Sequence, residues 1–314
     1  MSFTIDTAFV KQYHANIEYL LQQMGSQLRP YVRVESQQGE EGYWEQLDKS
    51  TPNEVFTRFA DSPVNEATHF RRKVILRQWD IGNFIDKFDK VKLLIDPASA
   101  YVQTMVWALG RSIDMTIIGR VSENTADAAN MVAAGLGGFH NTAFTGKSGT
   151  TSTAFPAANI VAVDFGSTGV NSNLNVAKIR EARRLLISFF NVPGRETWHF
   201  GYTSSQLSSL LSQTQITSAD YNSVKALVYG EVDSFLGFKF VHSEYYLNNA
   251  TPYRMIPVWT KNGMLMALGK DIETNVAQRA DKRFSWYAYA LASVGSTRMQ
   301  ENKVLEVLCD ETVV

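Results

Sequence analysis

Cysteine is nearly missing: Cys309 is the only one in 314 residues. One cysteine excludes an intrachain disulfide and any multi-cysteine zinc site. Long apolar runs are missing too. The stretch from Leu185 to Phe190 is among the longest, far short of the ~20 residues a spanning helix needs. The opening MSFTIDTAFVK lacks the charged and apolar blocks of a secretory signal, so the chain is expected to stay, at first, in the cytosol where it is made. Nor is there an excess charge of either sign, with 30 Lys and Arg against 31 Asp and Glu. That balance argues against a dedicated nucleic-acid binder but not against a protein that merely encloses nucleic acid. Internal repeats and low-complexity blocks are absent. A 45% hydrophobic and 12% aromatic composition describes an ordered chain, large enough for one big domain or two smaller ones.

The familiar catalytic patterns are also lacking. His14, His69, His140, His199 and His242 are scattered, with no zinc-pair spacing. Gly146-Lys147-Ser148 ends like a phosphate loop, but Asn141 stands where the first glycine belongs and the surroundings are a Ser/Thr/Gly loop. Gly135-Leu136-Gly137-Gly138 follows a helical stretch and puts His140 where a dinucleotide fingerprint needs its third glycine. No Gly-x-Ser-x-Gly elbow occurs, and Cys309 has no histidine near it in sequence. The carboxylate pairs Glu40-Glu41 and Asp310-Glu311 fall in loop or terminal contexts, where solvation explains them. No catalytic residue, cofactor or metal ligand is assigned, and the chain is expected not to be an enzyme.

What the sequence does have is a long helix, Asp96 to Val121. Asp96 caps it and Pro97 suits its first turn, where no N–H partner is needed. Ala98, Val102, Met105, Leu109, Ile113 and Ile117 recur at helical spacing over about 25 residues, roughly 37 Å. Arg111 and Asp114 are spaced to pair on its flank. Alone, such a helix fits the core of many α/β or α+β domains.

Around it, Thr7–Met24 reads as an amphipathic helix and Gln37–Gly42 as a surface turn. Residues 43–88 read as extended, with two arms of a long hairpin over Thr68–Asp80 or, equally well, ordinary edge strands. Thr125–Ala134, Leu174–Phe190, Ser205–Leu211 and Asp220–Leu227 read as helices, the second with Lys178, Arg180, Arg183 and Arg184 mostly facing solvent. Strands are expected at Ile160–Phe165, Trp198–Tyr202, Lys239–Tyr246, Tyr253–Trp259, Met264–Leu268, Phe284–Ala292 and Lys303–Cys309.

Several segments in order resemble the major capsid protein of tailed bacteriophages, of the Hong-Kong-97 type. They are the aromatic and basic arm ending at Trp79, then DKFDKVKLLIDPASAY (Asp86–Tyr101) and ALGRSIDMTIIG (Ala108–Gly119). EARRLLISFFNVPGRETWHFGYTSSQLSSLL (Glu181–Leu211) and ADYNSVKALVYGEVDSFLGFKFVHSEYYL (Ala219–Leu247) follow. VGSTRMQENKVLEVLCDE (Val294–Glu311) closes the series. The likeness is spread over most of residues 70–311.

The resemblance implies an α+β fold with an N-arm (1–44), an extended loop (45–85) and a peripheral domain with the spine helix (86–158). An axial domain (159–252) and a return to the peripheral sheet (253–314) complete it. It implies self-assembly through pentamers and hexamers into an icosahedral head around double-stranded DNA, with heterologous contacts closing each ring. Arg71, Arg72 and Lys73 are expected to meet acidic patches on a neighbour, with Glu40 and Glu41 as the candidates. Implied partners are a separate scaffolding protein, because the N-arm begins within about ten residues of Met1, together with a portal, a possible decoration protein and non-specifically held DNA. No membrane is involved. The location is the virion, after assembly in the host cytoplasm. No local spacing supports covalent cross-linking. An encapsulin-like cellular shell and a cytosolic α/β enzyme for phosphate-bearing ligands are the alternatives.

Overall fold

The long helix is a single element, α1 (Pro97–Ile118), in the computed structural model, which describes residues 22–56, 58, 64–85, 97–120, 137–167, 169–192, 194–213, 234–249 and 253–313. It stops at Gly119, whose φ of +90° is the left-handed geometry that ends helices, and the N–H of Arg120 folds back to the Met115 carbonyl at 2.8 Å. Met105 and Leu109 pack on Ala288, Ala290 and Ala292 of the sheet beneath, and the small alanines let the helix lie close. The expected Arg111–Asp114 pair does not form. Arg111 donates to the Gln22 side chain at 3.0 Å, while Asp114 is wholly buried and accepts from Ser26 Oγ and from the N–H groups of Gln27 and Leu28 at 2.9 and 3.1 Å. Asp114 thereby docks the segment Ser26–Leu28 onto the helix. Burial pushes its carboxyl up despite those donors. Gly110 permits the docking: a Cβ there would lie 2.5 Å from the Gly25 Cα.

The strands in chain order are β1 (Arg33–Ser36), β2 (Glu41–Leu47), β3 (His69–Ile75), β4 (Arg77–Ile85), β5 (Ala143–Thr145), β6 (Thr151–Thr153) and β7 (Ile160–Val161). After helix α2 (Val176–Ser188) come β8 (Trp198–Tyr202) and helix α3 (Ser204–Leu211). Then follow β9 (Ser234–Phe235), β10 (Phe238–His242), β11 (Tyr253–Thr260), β12 (Met264–Arg279), β13 (Ser285–Arg298) and β14 (Val304–Asp310). They make three sheets, ordered β1-β12-β13-β4, β7-β14-β11-β8-β10-β9 and β2-β3-β5-β6.

The six-stranded sheet carries most of the core. Trp198, Phe200, Phe238, Val258, Trp259, Leu305 and Val307 are buried in it, and Ile179, Ala182 and Leu186 of α2 cover one face. Asn175 caps α2 by accepting from the Lys178 N–H at 2.7 Å, and Thr203 with Gln206 forms the capping box of α3. Lys178 does not face solvent as expected. It is fully buried and its ammonium donates to the carbonyls of Ser172, Asn173 and Leu308 at 2.6, 3.1 and 2.9 Å. Burial lowers its affinity for the proton, and those carbonyls compensate. Arg180 and Arg184 are the basic residues of α2 that do face outward.

Other differences are also physical. β12 and β13 run to 16 and 14 residues, well beyond the expected strands, because each supports the other after the alternation fades. Only Ile160–Val161 of the expected 160–165 strand pairs, on β14, and the chain then turns through Asp164–Ser167. Glu41 and Gly42 open β2 and are not part of a turn. The helices expected at Thr125–Ala134 and Asp220–Leu227, and nearly all of Thr7–Met24, lie outside the described residues.

Candidate assembly surfaces

β2 and β3 are the outer pair of the four-stranded sheet β2-β3-β5-β6, with β3 joined to β5 at Arg72↔Thr145 and Lys73↔Phe144. β2 and β3 pair antiparallel from Glu41↔Ile75 to Leu47↔His69, and the Asp48 N–H continues the ladder to the Thr68 carbonyl at 2.9 Å. The hairpin is therefore β2 with β3, and its far end carries the described residues 48–56, 58 and 64–68. The two expected arms within Thr68–Asp80 do not pair with each other: Leu76 breaks the run, and β4 leaves to pair with β13.

Strand alternation explains what becomes of the basic run. Successive side chains of a strand point to opposite faces. Arg71 and Lys73 thus face outward with Glu41, Tyr43 and Glu45, whereas Arg72 faces inward with Trp44 and Gln46. Lys73 pairs with Glu41, and Arg71 with Glu45 at 2.5 Å, its guanidinium also lying 5.8 Å from the Tyr43 ring. The Lys73 hydrogen bond holds the Glu41 carboxyl below its usual range. Arg72 is only 7% exposed and pairs with Glu301 at the turn between β13 and β14. Glu40 caps nothing with its side chain among the described contacts, but its carbonyl accepts the Leu76 N–H at 3.1 Å.

The far end of the hairpin is apolar and open. Val55, Phe56 and Val64 are 75%, 84% and 83% exposed. Asn65 donates to the Thr51 carbonyl at 2.6 Å and Asn53 to Asn65 at 3.3 Å, so the two limbs are tied by side chains and not by a core. A second open region is the outer half of the β12–β13 ribbon. Val276 and Phe284 are exposed there, and Arg283 and Phe284 both hold positive φ at the turn. A third is Phe190, with φ of 61° at the end of α2 and almost fully exposed beside Ile187 and Val192. These exposed apolar groups are candidates for contacts with other molecules.

The fragments that resembled ligand loops are structural. Gly146-Lys147-Ser148 is the turn of the β5–β6 hairpin, with Gly146 at φ +86°, and leads from strand to strand. Gly137 and Gly138 run past β13 and the end of α1: a Cβ at Gly137 would strike the Ser296 carbonyl. His242 and Glu244 do share a face and lie 3.0 Å apart, both exposed. Among the described residues no group of three His, Cys, Asp or Glu side chains is placed to hold a metal. Sequence reasoning does not single out Glu301, which pairs with Arg72, Arg298, which pairs with Glu301, or Gln46, which accepts from Arg72. They carry no local motif, and only the folded contacts single them out.

A spine helix on an alanine-faced sheet, a six-stranded sheet with two helices and the β2–β3 hairpin together make the Hong-Kong-97-type fold of phage shells. The solved capsid of a native gene transfer agent (GTA) particle matches with a TM-score of 0.71 at 12% identity, covering 98% of this chain and 97% of that one. The capsid of the cyanophage P-SCSP1u matches at 0.68 and 14%, covering 98% and 94%. A solved structure from Mycobacterium phage Che8 matches at 0.62 and 13%, over the full length of both chains. No curated protein sequence matches. The family model described as phage capsid protein matches residues 5–311, and the chain belongs to that family. Its role is structural, as a major capsid protein of the virion, and it self-associates into capsids.

Proposed function

We propose that the chain closes rings of five and six through heterologous contacts, and that these rings tile an icosahedral head around double-stranded DNA. The observation that carries this reading is the hairpin whose far end exposes Val55, Phe56 and Val64. Among the described residues its apolar groups have no burial partner, and they gain one from a neighbouring copy. In this reading residues 1–44 are the N-arm, 45–85 the extended loop, 86–158 with 253–314 the peripheral domain, and 159–252 the axial domain.

The outward charges of the hairpin take part in the same contact. Arg71 and Lys73 exchange their intrachain partners Glu45 and Glu41 for acidic groups of a neighbour, and Glu40 and Glu41 receive the neighbour's basic groups. Arg72 contributes from within, by fixing the hairpin. The near-balanced charge suits a container that does not grip its genome. Assembly takes place in the host cytoplasm with a separate scaffolding protein and a portal, with room for a decoration protein. The chain performs no catalysis of its own.

Negative-stain microscopy of the protein, expressed alone and then with candidate scaffold genes, tests the reading. Shells, tubes or free five- and six-membered rings are expected. A chain that stays monomeric under every condition overturns it. Uptake of a cargo peptide into shells formed without a portal would instead mark a cellular compartment.

A further inference from the structure

The base of the hairpin pairs with β5 through Arg72↔Thr145 and Lys73↔Phe144 and packs through Val74 and Trp44 on Leu265, Ala267 and Met299, and one carboxylate joins it to the end of β13. Glu301 lies in the short turn Glu301–Lys303 that links β13 to β14, the point where the four-stranded sheet hands the chain to the six-stranded one. On the body side, Arg298 ends β13 and is fully buried. Its Nη1 donates to the carbonyls of Phe139 and Asn141 at 2.8 and 2.9 Å, its guanidinium lies 4.9 Å from the Phe155 ring, and its Nε faces Glu301 Oε1 at 3.3 Å. On the hairpin side, Arg72 delivers Nη2 to the other oxygen, Glu301 Oε2. Gln46, beside Arg72 on the inward face, accepts from Arg72 Nε at 3.4 Å and donates to the Met299 carbonyl at 2.8 Å. The carboxylate therefore joins two buried arginines that belong to different sheets.

The surroundings leave this bridge little slack. Arg72 Nη1 is buried with no hydrogen-bond partner among the described residues, so the guanidinium depends on Glu301 and Gln46. β3 passes so close to β13 that a Cβ on Gly295 would lie 2.5 Å from the Ile75 carbonyl. Breaking one member of a buried ion pair leaves an uncompensated charge and is costly, which makes the pair a firm but directional latch. A cluster serving stability alone gains nothing from straddling a joint, since apolar groups of the same volume stabilise as well or better.

We propose that Glu301 is a positioning residue for assembly: gripped by Arg298, it receives Arg72 and sets the angle at which the hairpin leaves the body. In a closed shell that angle fixes how far each copy tilts against the next, so the latch governs shell curvature. The inference rests on the hairpin being the intersubunit arm.

The test uses the full chain with two readouts. Spin labels at Thr51→Cys and Arg180→Cys, both exposed sites, report the hairpin-to-body distance distribution in the unassembled chain, whether or not shells form. Cys309 stays unlabelled, being buried with its thiol pushed up to about 12. Arg72→Gln frees the hairpin while leaving Glu301 on Arg298. The expected result is a distribution at least twice as broad as in the otherwise unchanged chain, with shells of mixed diameter or open sheets. Arg72→Lys, which keeps a charge within reach, is expected to restore much of the narrow distribution. Val307→Ala, destabilising the core away from the joint, is expected to leave both readouts unchanged. An unchanged distribution in Arg72→Gln, or a failure of that variant to fold, overturns the proposal. So does Val307→Ala matching Arg72→Gln in both readouts. Failure of the unaltered chain to form any shell counts against the assembly reading, while the distance measurement still decides the latch.

Discussion

The six-stranded sheet and the hairpin solve opposite problems with the same amino acids. In the sheet, Phe200, Phe238 and Trp259 are wholly buried, the first two meeting edge to face and Trp259 packing on Phe139. In the hairpin, Phe56 and Phe70 point into solvent. The sheet region satisfies itself: even its buried cation, Lys178, finds three carbonyls within the chain. The hairpin is held at its base by the β3–β5 ladder, the Val74 cluster and the Arg72–Glu301 pair, while Val55, Phe56 and Val64 at its far end stay exposed.

Breaking the sheet gives the largest effect. Trp259 is 0% exposed, packs on Phe139 with ring centroids 4.7 Å apart and donates its indole N–H to the Tyr31 carbonyl at 3.0 Å. Trp259→Ala is expected to cost about 3–5 kcal/mol, as large cavities in cores do. Urea unfolding of the single chain measures it. Assembly is expected to fail as a consequence, since the tie from the sheet to Tyr31 is lost with the ring. A loss below ~1 kcal/mol would mean the core is less self-sufficient than its burial indicates.

A smaller effect in the same region depends on pH. His199 sits between the rings of Tyr31 and Trp259, at 5.0 and 5.5 Å, with Thr197 Oγ1 3.2 Å from Nε2 and Nδ1 buried without a partner among the described residues. Burial, with Lys239 and Lys261 adding repulsion, lowers its pKa from 6.5 to about 4. The unfolded chain therefore takes up a proton near pH 6.5 that the folded chain refuses until about 4. Stability is complete above the upper value and falls as pH drops through that window, by about 2–3 kcal/mol for this group. Unfolding midpoints at pH 7 and 4.5 are expected to differ less in His199→Gln than in the unaltered chain. Equal slopes would assign the acid sensitivity elsewhere.

The sheet was also the more legible region. Trp198–Tyr202 was bounded correctly because its residues are buried or nearly so, with β10 and β11 on its flanks, and α1 was evident from sustained helical spacing. The hairpin was legible only as something extended. Periodicity cannot say which strand pairs with which, and the pairing of β2 with β3 and of β4 with β13 is set by contacts distant in sequence. Arg71, Arg72 and Lys73 looked alike as a run; alternation separates them, sending the middle one inward to Glu301, 229 positions away. Lys178 misled for a related reason. A buried lysine on an amphipathic helix looks like any other polar position until the carbonyls that receive it are brought together by α2 and β14. The family resemblance supplied the assembly reading before any single residue did.

The smallest effect on the single chain is also the one that bears most on the comparison. Phe56 is mostly exposed, so Phe56→Ser removes almost no intrachain contact. Its stability is expected to stay within about 0.5 kcal/mol of the unaltered chain, as for other surface substitutions. An aromatic anchor at an interface contributes about 2 kcal/mol or more when truncated. Repeated at each copy of a ring, that loss compounds, so shell yield in microscopy or sedimentation is expected to fall at least tenfold while the melting curve is unmoved. The paired outcome is what separates the two regions: Trp259→Ala lowers stability and assembly together, whereas Phe56→Ser lowers assembly alone. If Phe56→Ser left shells intact, the exposed tip would be ordinary surface, and the burden of the contact would shift to the outer ribbon around Val276 and Phe284.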